Sequence, residues 1–253
     1  MRSVWLSLAL LMMALCLIVI APAPASAQQP GAVLIWPVNP VIEPDKQATA
    51  LWLENPGKTP VTLQVRIYAW AQTGGKNVYA DQQAVIGTPP IMTIAPGTKQ
   101  LVRLTRSGPA PAEAEKPYRV IIDEIPVENA AAPTPGAAIS FRMRYSLPLF
   151  ILGSASIARD GKGGKALPAN PDLVWRVVTD GGERVLEVRN RGPVHARLTD
   201  AMLGATPIAE GLLGYVLPGE AMRWPLPAEA RTGDAFHASV NGAARGPIPP
   251  QPD

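Results

Sequence analysis

Residues 139–147 read Ile139-Ser140-Phe141-Arg142-Met143-Arg144-Tyr145-Ser146-Leu147, and apolar and polar side chains alternate at every position. In a β-strand, successive side chains point to opposite faces of the sheet. The stretch therefore predicts a strand with one apolar face and one polar face. At roughly 3.3 Å per residue, such a strand is about 30 Å long.

Other strand signals flank this stretch on both sides. They are short runs rich in Val, Ile, Leu, Tyr and Trp, bounded by Pro, Gly or Asn. No segment of helical length repeats its apolar residues with a helical period. We therefore predict an all-β chain that begins with an immunoglobulin-like sandwich. The first set of predicted strands covers 33–42, 49–54, 61–70, 100–105, 118–125 and 139–151, and a weaker set covers 173–179, 184–190, 196–201 and 236–240.

Composition excludes most other classes of protein. Hydrophobic residues make up 47% and charged residues 17%, which is unlike a disordered chain. The formal charge of +3 is too small and too dispersed for a nucleic-acid binder. One Cys and two His leave no basis for a zinc site, a disulfide framework or a Cys–His nucleophile. We expect no catalytic residues, metal, cofactor, nucleotide or nucleic acid.

The first 27 residues have the order of a secretory signal peptide. Arg2 precedes an apolar run over 4–20, and Ala25-Ser26-Ala27 follows it, so we expect cleavage after Ala27. An uncleaved membrane anchor is the alternative. The run is slightly short for a span, and prolines interrupt it before the small-residue site.

The mature chain divides into two predicted domains. Residues 28–152 form the predicted N-terminal immunoglobulin-like domain, and residues 153–246 form a predicted second domain that holds the weaker set of strands. The boundary lies at a segment rich in Gly, Ala and Lys. The Gly- and Pro-rich end of the chain predicts a disordered tail over 247–253.

The alternating stretch has two interpretations. A half-buried core strand is the simpler one. However, residues 128–138 read ENAAAPTPGAA, a low-complexity segment typical of a loop, and they come directly before the stretch. Its large, mixed apolar residues also suit insertion into a groove. The alternative is therefore a strand donated to another protein by β-augmentation.

Several motifs in order carry a resemblance to a known family. The motifs are Gly87-Thr-Pro-Pro-Ile91, Ile94-Ala-Pro-Gly97, Gln100-Leu-Val-Arg-Leu104, Tyr118-Arg119 with Glu124-Ile-Pro126, Ser146-Leu-Pro-Leu-Phe150 and, more loosely, Asn190 to Ala196. On these motifs the chain resembles the periplasmic pilus-assembly chaperones, the PapD-like family of chaperone–usher systems. The Ser146–Phe150 motif is nearer the archaic branch of that family.

The resemblance implies two immunoglobulin-like β-sandwich domains set at an angle, in the periplasm of a Gram-negative bacterium. It implies a pilus subunit as client and an outer-membrane usher as second partner. The client is an immunoglobulin-like fold without its last strand, which the chaperone replaces. Free members of the family often protect the donor strand by self-association, which leaves the oligomeric state open. The implied donor residues are Ile139, Phe141, Met143 and Tyr145.

Two further sets of residues follow from the resemblance. Well-known members bind the subunit carboxylate with an Arg on the first strand and a Lys on the donor strand, where this chain has Asn39 and Pro148. The candidate replacements are Arg144, Arg142, Arg103 and Arg119, each with a simple surface charge as the alternative. The candidate usher contacts are Pro60, Pro89, Pro90 and Ile91, for which turn chemistry is the alternative.

A different class of function also fits two immunoglobulin-like domains behind a signal peptide. The chain could be a secreted adhesin or a pilus structural subunit. A subunit, however, is a single incomplete domain with an alternating N-terminal extension. Residues 28–30 are too short for such an extension.

Overall fold

The computed structural model describes residues 32–125, 142–158 and 167–252, and these residues are almost entirely β-structure. The all-β prediction is confirmed. The strands are β1 (Leu34–Trp36), β2 (Val41–Ile42), β3 (Ala48–Glu54), β4 (Val61–Thr73), β5 (Lys76–Ala80), β6 (Val85–Thr88), β7 (Ile91–Ile94), β8 (Lys99–Arg106), β9 (Lys116–Glu124), β10 (Arg144–Ile151), β11 (Ile157–Ala158), β12 (Leu167–Pro168), β13 (Leu173–Asp180), β14 (Glu183–Asn190), β15 (Ala196–Leu203), β16 (Thr206–Val216), β17 (Ala221–Pro225), β18 (Phe236–Val240) and β19 (Gly246–Pro247).

Strands β1 to β10 form the first sandwich. One sheet has the order β1-β3-β8-β6, and the other has the order β2-β10-β9-β4-β5 with β7 beside β4. Alternate residues of both sheets point inward and close the core, as the period of two requires. Leu51, Leu63, Leu104, Ile122 and Leu149 are fully buried there.

The predicted strand over 33–42 is two strands in different sheets. β1 pairs with β3, whereas β2 runs parallel to the end of β10. Pro37 and Pro40 separate the two, and a proline has no N–H with which to continue a ladder. The chain therefore crosses from one sheet to the other at this point.

Strands β11 to β19 cover the second half of the chain. The sheets β13-β14-β17 and β16-β15-β18-β19 enclose a separate core, in which Leu186, Leu198, Leu203 and Phe236 are fully buried. The short pair β11-β12 lies outside both sheets. The turn at Gly181 and Gly182 joins β13 to β14, and both glycines have positive φ.

The predicted disordered tail is corrected by the structure for residues 247–252. Ile248 is buried in the second core, and its carbonyl accepts the indole N–H of Trp175 at 2.9 Å. The Gln251 N–H then donates to the Trp175 carbonyl at 2.7 Å. Composition could not predict this order, because it depends on the burial of one apolar side chain, Ile248, and on a few hydrogen bonds to Trp175.

A third apolar cluster joins the two sandwiches. Trp70 and Phe150 come from the first, and Leu217 and Tyr215 come from the second. The ring of His195 stacks on Phe150 with centroids 3.6 Å apart and planes 2° apart. Over the residues with described structure, no helix is long and apolar enough to cross a membrane.

Candidate strand-donating edge and arginine cluster

Strand β10 has one paired edge and one largely open edge. Its inner edge pairs with β9 from Arg144 opposite Asp123 to Ile151 opposite Lys116. Its outer edge meets β2 only at Phe150 and Ile151. Within the described ranges, the outer edge is therefore open before Phe150.

The backbone groups at the open edge belong to even-numbered residues. The N–H groups of Phe150 and Leu152 donate outward to β2 and its flank, at 3.2 Å to the Pro40 carbonyl and 3.0 Å to the Ile42 carbonyl. On the opposite side, the carbonyl of Met143 accepts the Glu124 N–H at 3.0 Å. Because strand backbone groups alternate in direction, Arg144 and Ser146 present N–H and C=O to the open edge.

The odd-numbered side chains form one continuous row. Leu147, Leu149 and Ile151 lie in the first core, and Tyr145 packs against it. Met143 is 37% exposed at the end of the row. Ile139 and Phe141, the other two predicted donor residues, lie outside the described residues.

Tyr145 is held by its own sandwich. Its hydroxyl accepts the N–H of Val33 at 2.8 Å, and its ring is half-buried. Burial raises the pKa of the Tyr145 hydroxyl. Of the predicted donor residues that the structure describes, only Met143 is exposed.

Two of the four candidate arginines, Arg144 and Arg119, lie on the outer face of the six-stranded sheet. Arg144 binds Asp123 through its Nε, and Arg66 on β4 binds the other carboxylate oxygen at 2.5 Å. Burial pushes the pKa of Asp123 upward, but the hydrogen bonds from Arg144 and Arg66 outweigh it, and the pKa stays below its ordinary value. Arg66 was not predicted, because the sequence does not indicate which strand lies beside β9.

Arg119 lies on the same face in a different environment. Its guanidinium carbon is 4.0 Å from the centroid of the Trp70 ring, 5.8 Å from that of Tyr79 and 6.0 Å from that of Tyr215. Its Nε is buried and has no hydrogen-bond partner in the described structure. Arg119, Arg144 and Arg66 line one cavity of about 600 Å³. The arrangement suits an anion, because arginine binds carboxylates in a planar fork.

The other two arginines are not part of this cavity. Arg142 is exposed just before β10, beside Met143. Arg103 lies on β8, in the opposite sheet, and points outward from it. The structure therefore brings together Arg119 and Arg144 and separates Arg103 from them.

The candidate usher residues lie beside or within the antiparallel pair formed by β4 and β7. Ile91 is 53% exposed and lies opposite Gln64, and the Pro90 carbonyl accepts the N–H of Val65 at 2.7 Å. Pro89 is half-buried, and Pro60 is exposed just before β4, beyond the other end of β7. The register of β4 with β7 therefore places Pro60 at one end of this pair and Pro89, Pro90 and Ile91 at the other.

Comparisons with known proteins agree with this geometry. Residues 37–154 match the family model for pili and flagellar-assembly chaperones, PapD N-terminal domain. A chain of the CsuC–CsuE chaperone–tip adhesion subunit pre-assembly complex, from the archaic chaperone–usher Csu pili of Acinetobacter baumannii, is 31% identical with a TM-score of 0.71. That match covers 87% of this chain and 100% of the other. A search of curated protein sequences gives no significant match.

Two more distant structures share the fold. The Escherichia coli chaperone DraB is 15% identical with a TM-score of 0.60, over 87% of this chain and 97% of that chain. A chain of the Salmonella enterica complex of the SafA pilin with the SafB chaperone is 18% identical with a TM-score of 0.61, over 88% and 97%.

The chain belongs to the pilus-assembly chaperones of chaperone–usher systems. Its fold of two immunoglobulin-like β-sandwiches is that of the family. Proteins of this family are periplasmic in general and are not enzymes. The findings favour a chaperone over an adhesin or a structural subunit. Among the described residues, no group of three or more His, Cys, Asp or Glu could hold a metal ion.

Proposed function

We propose that β10, extended through residues 139–143, is donated to an incomplete pilus subunit and completes its sheet. The observation that carries this proposal is the open outer edge of β10 beside a continuous apolar row. Arg144 and Ser146 offer backbone groups at the edge, and Met143 begins the exposed part of the row. The related Csu structure is itself a complex with a tip subunit.

The physical basis is the state of the client. A sheet without its last strand exposes unpaired N–H and C=O groups and an apolar groove, and both promote aggregation. Backbone pairing sets the register, and Ile139, Phe141 and Met143 fill the groove. Full burial of each side chain contributes on the order of 1.5–3 kcal/mol.

Arg119 and Arg144 are the proposed anchors for the carboxylate at the end of the subunit. They line the same cavity beside β10, together with Arg66. Arg144 already forms an ion pair with Asp123. Arg119 forms no ion pair among the residues described, although Asp81 lines the same cavity. We therefore assign the main anchoring role to Arg119.

Export and delivery complete the proposal. Residues 1–27 are removed as a signal peptide, and the mature periplasmic chain consists of the domains 28–152 and 153–246. The surface formed by Pro60, Pro89, Pro90 and Ile91 contacts the outer-membrane usher. Support for this contact is the exposure of Ile91 and Pro60 beside β4.

The experiment is periplasmic co-expression of the tagged chain with each small secreted protein encoded beside its gene. Phe141→Asp places a charge in the donated row and should lower the yield of the complex by at least about tenfold. Ser140→Asp is the matched control, because it adds the same charge on the opposite face. In the same assay with the neighbouring usher, Ile91→Asp should keep the subunit complex and lose the usher.

Equal subunit yields from Phe141→Asp and Ser140→Asp would overturn the donor proposal. Unchanged capture of the usher by Ile91→Asp would remove the usher surface and leave the donor proposal intact.

A further inference from the structure

We infer that the second sandwich positions the guanidinium of Arg119 through a relay of hydrogen bonds, so that anion binding and docking of the two sandwiches depend on each other. The relay consists of Gln72, Asn77 and Trp70. The inference rests on the proposed anchoring role of Arg119. It makes the relay residues positioning residues for the anion site.

The relay begins at the backbone of the second sandwich. The side chain of Gln72 is buried at the junction. Its Oε1 accepts the N–H of Leu217 at 2.9 Å, and its Nε2 donates to the carbonyl of Tyr215 at 2.8 Å. Gln72 on β4 is therefore fixed by β16 and the residue after it.

Asn77 on β5 carries the relay to Trp70. Its Oδ1 accepts from Gln72 Nε2 at 3.0 Å and from the indole Nε1 of Trp70 at 2.8 Å. The indole is 3% exposed and also contacts Phe150 and Leu217. One hydrogen bond and close packing thus fix the orientation of the Trp70 ring.

Arg119 depends on that plane for its own position. Its guanidinium lies over Trp70, and Tyr215 of the second sandwich adds a ring at 6.0 Å. No ion pair fixes Arg119 within the described residues, and its Nε has no hydrogen-bond partner there. Stacking on aromatic rings is therefore the main restraint on the cation. A change in the docking of β16 alters both rings.

Linkage makes the coupling reciprocal. If docking raises the affinity of the site for an anion, the anion must strengthen docking by the same factor. A filled cavity would then hold the two sandwiches together more firmly than an empty one. This property would be useful in a protein that must keep one geometry while it carries a client.

Nuclear magnetic resonance of the mature chain tests the inference, with acetate as the probe. Arg119→Lys identifies the Nε–H signal of Arg119, which stacking on Trp70 should displace from the ordinary arginine position. Acetate should shift this signal in a saturable manner and slow hydrogen exchange at the Leu217 amide. Asn77→Leu removes the acceptor that links Gln72 to Trp70. It should return the signal toward the ordinary position and weaken acetate binding by about fivefold.

Two controls keep the result interpretable. Val78→Ala changes the next, exposed residue of β5 and should leave acetate binding unchanged. Tyr215→Leu removes the ring that the second sandwich contributes and should weaken acetate binding, whereas Tyr215→Phe should not. This pair tests the coupling even if Asn77→Leu fails to fold.

The inference is overturned if Asn77→Leu or Tyr215→Leu binds acetate as the parent chain does, or if acetate leaves the Arg119 signal of the parent chain unmoved. An unmoved Arg119 signal in the parent chain would remove the anchoring role of Arg119 together with the inference. A signal that moves, with unchanged acetate binding in Asn77→Leu and Tyr215→Leu, would overturn the relay and leave the anchoring role intact. Failure of the donor proposal would appear separately, as equal subunit yields from Phe141→Asp and Ser140→Asp.

Discussion

Asp123 illustrates how single residues organise the outer face of the six-stranded sheet. Its side chain is 13% exposed, and it binds one arginine from the strand on each side, Arg144 and Arg66. These arginines are 67% and 42% exposed, so solvent screens much of the attraction. The carboxylate therefore orders the face more than it stabilises the fold.

The first prediction follows from the lowered pKa of Asp123. A carboxylate with a lowered pKa stabilises the fold above its ordinary pKa of 3.8, and this contribution is lost as the pH falls through the lower folded value. Asp123→Asn should therefore lower the free energy of unfolding at neutral pH by about 1 kcal/mol or less. Urea unfolding at neutral and acidic pH measures the difference, which should shrink in acid. A difference that grows in acid would contradict the assignment.

At the scale of strands, the edges of the two sandwiches differ in their protection. The long edge strand β16 contains Pro207 and two glycines with positive φ, Gly211 and Gly214, and its register with β15 shifts repeatedly. Such irregularities prevent edge-to-edge association. The open part of β10 has only Pro148 near its end and keeps regular pairing with β9. The contrast supports the proposal that the edge of β10 receives a partner strand.

At the scale of the whole molecule, buried polar side chains fix one sandwich to the other. Glu115 is fully buried, and its Oε1 accepts the N–H of His195 at 2.6 Å and lies 2.8 Å from His195 Nδ1. The His195 ring in turn stacks on Phe150, the residue at which β10 meets β2. The end of β10 that pairs with β2 is thus joined directly to the second sandwich.

The second prediction concerns this junction. Glu115→Leu removes the acceptor and leaves the polar groups of His195 without a partner, at a cost of about 1–3 kcal/mol. We expect calorimetry to show two separated unfolding transitions in place of a more cooperative one. Glu113→Leu, an exposed neighbour two residues earlier, is the control and should change neither property. A single unshifted transition in Glu115→Leu would contradict a role in joining the sandwiches.

The sequence predicted features that depend on local pattern. Alternation of apolar and polar residues located β10 and the strands with buried faces, because this pattern can be recognised from adjacent residues alone. It missed β5 and β7, which are short, and β16, whose glycines and proline interrupt its pattern. Exposed or irregular strands carry little hydrophobic signal.

Contacts between distant residues could not be predicted in the same way. Glu115 and His195 are 80 positions apart, and Gln72 and Leu217 are 145 apart. Their pairing depends on how the sandwiches pack and not on any local pattern. The cluster of Arg119 and Arg144 was predicted only as separate candidates, because the order of strands was needed to place them on one face.

The most direct test of strand donation is a substitution at the open edge of β10. Ser146→Pro removes one N–H that faces outward and none that faces β9, so the chain should fold and lose its subunit complex. Ser146→Ala keeps the N–H and should form the complex normally. Circular dichroism and co-purification with the neighbouring subunit measure the two properties. A folded Ser146→Pro variant that still forms the complex in full yield would show that the edge of β10 is not donated.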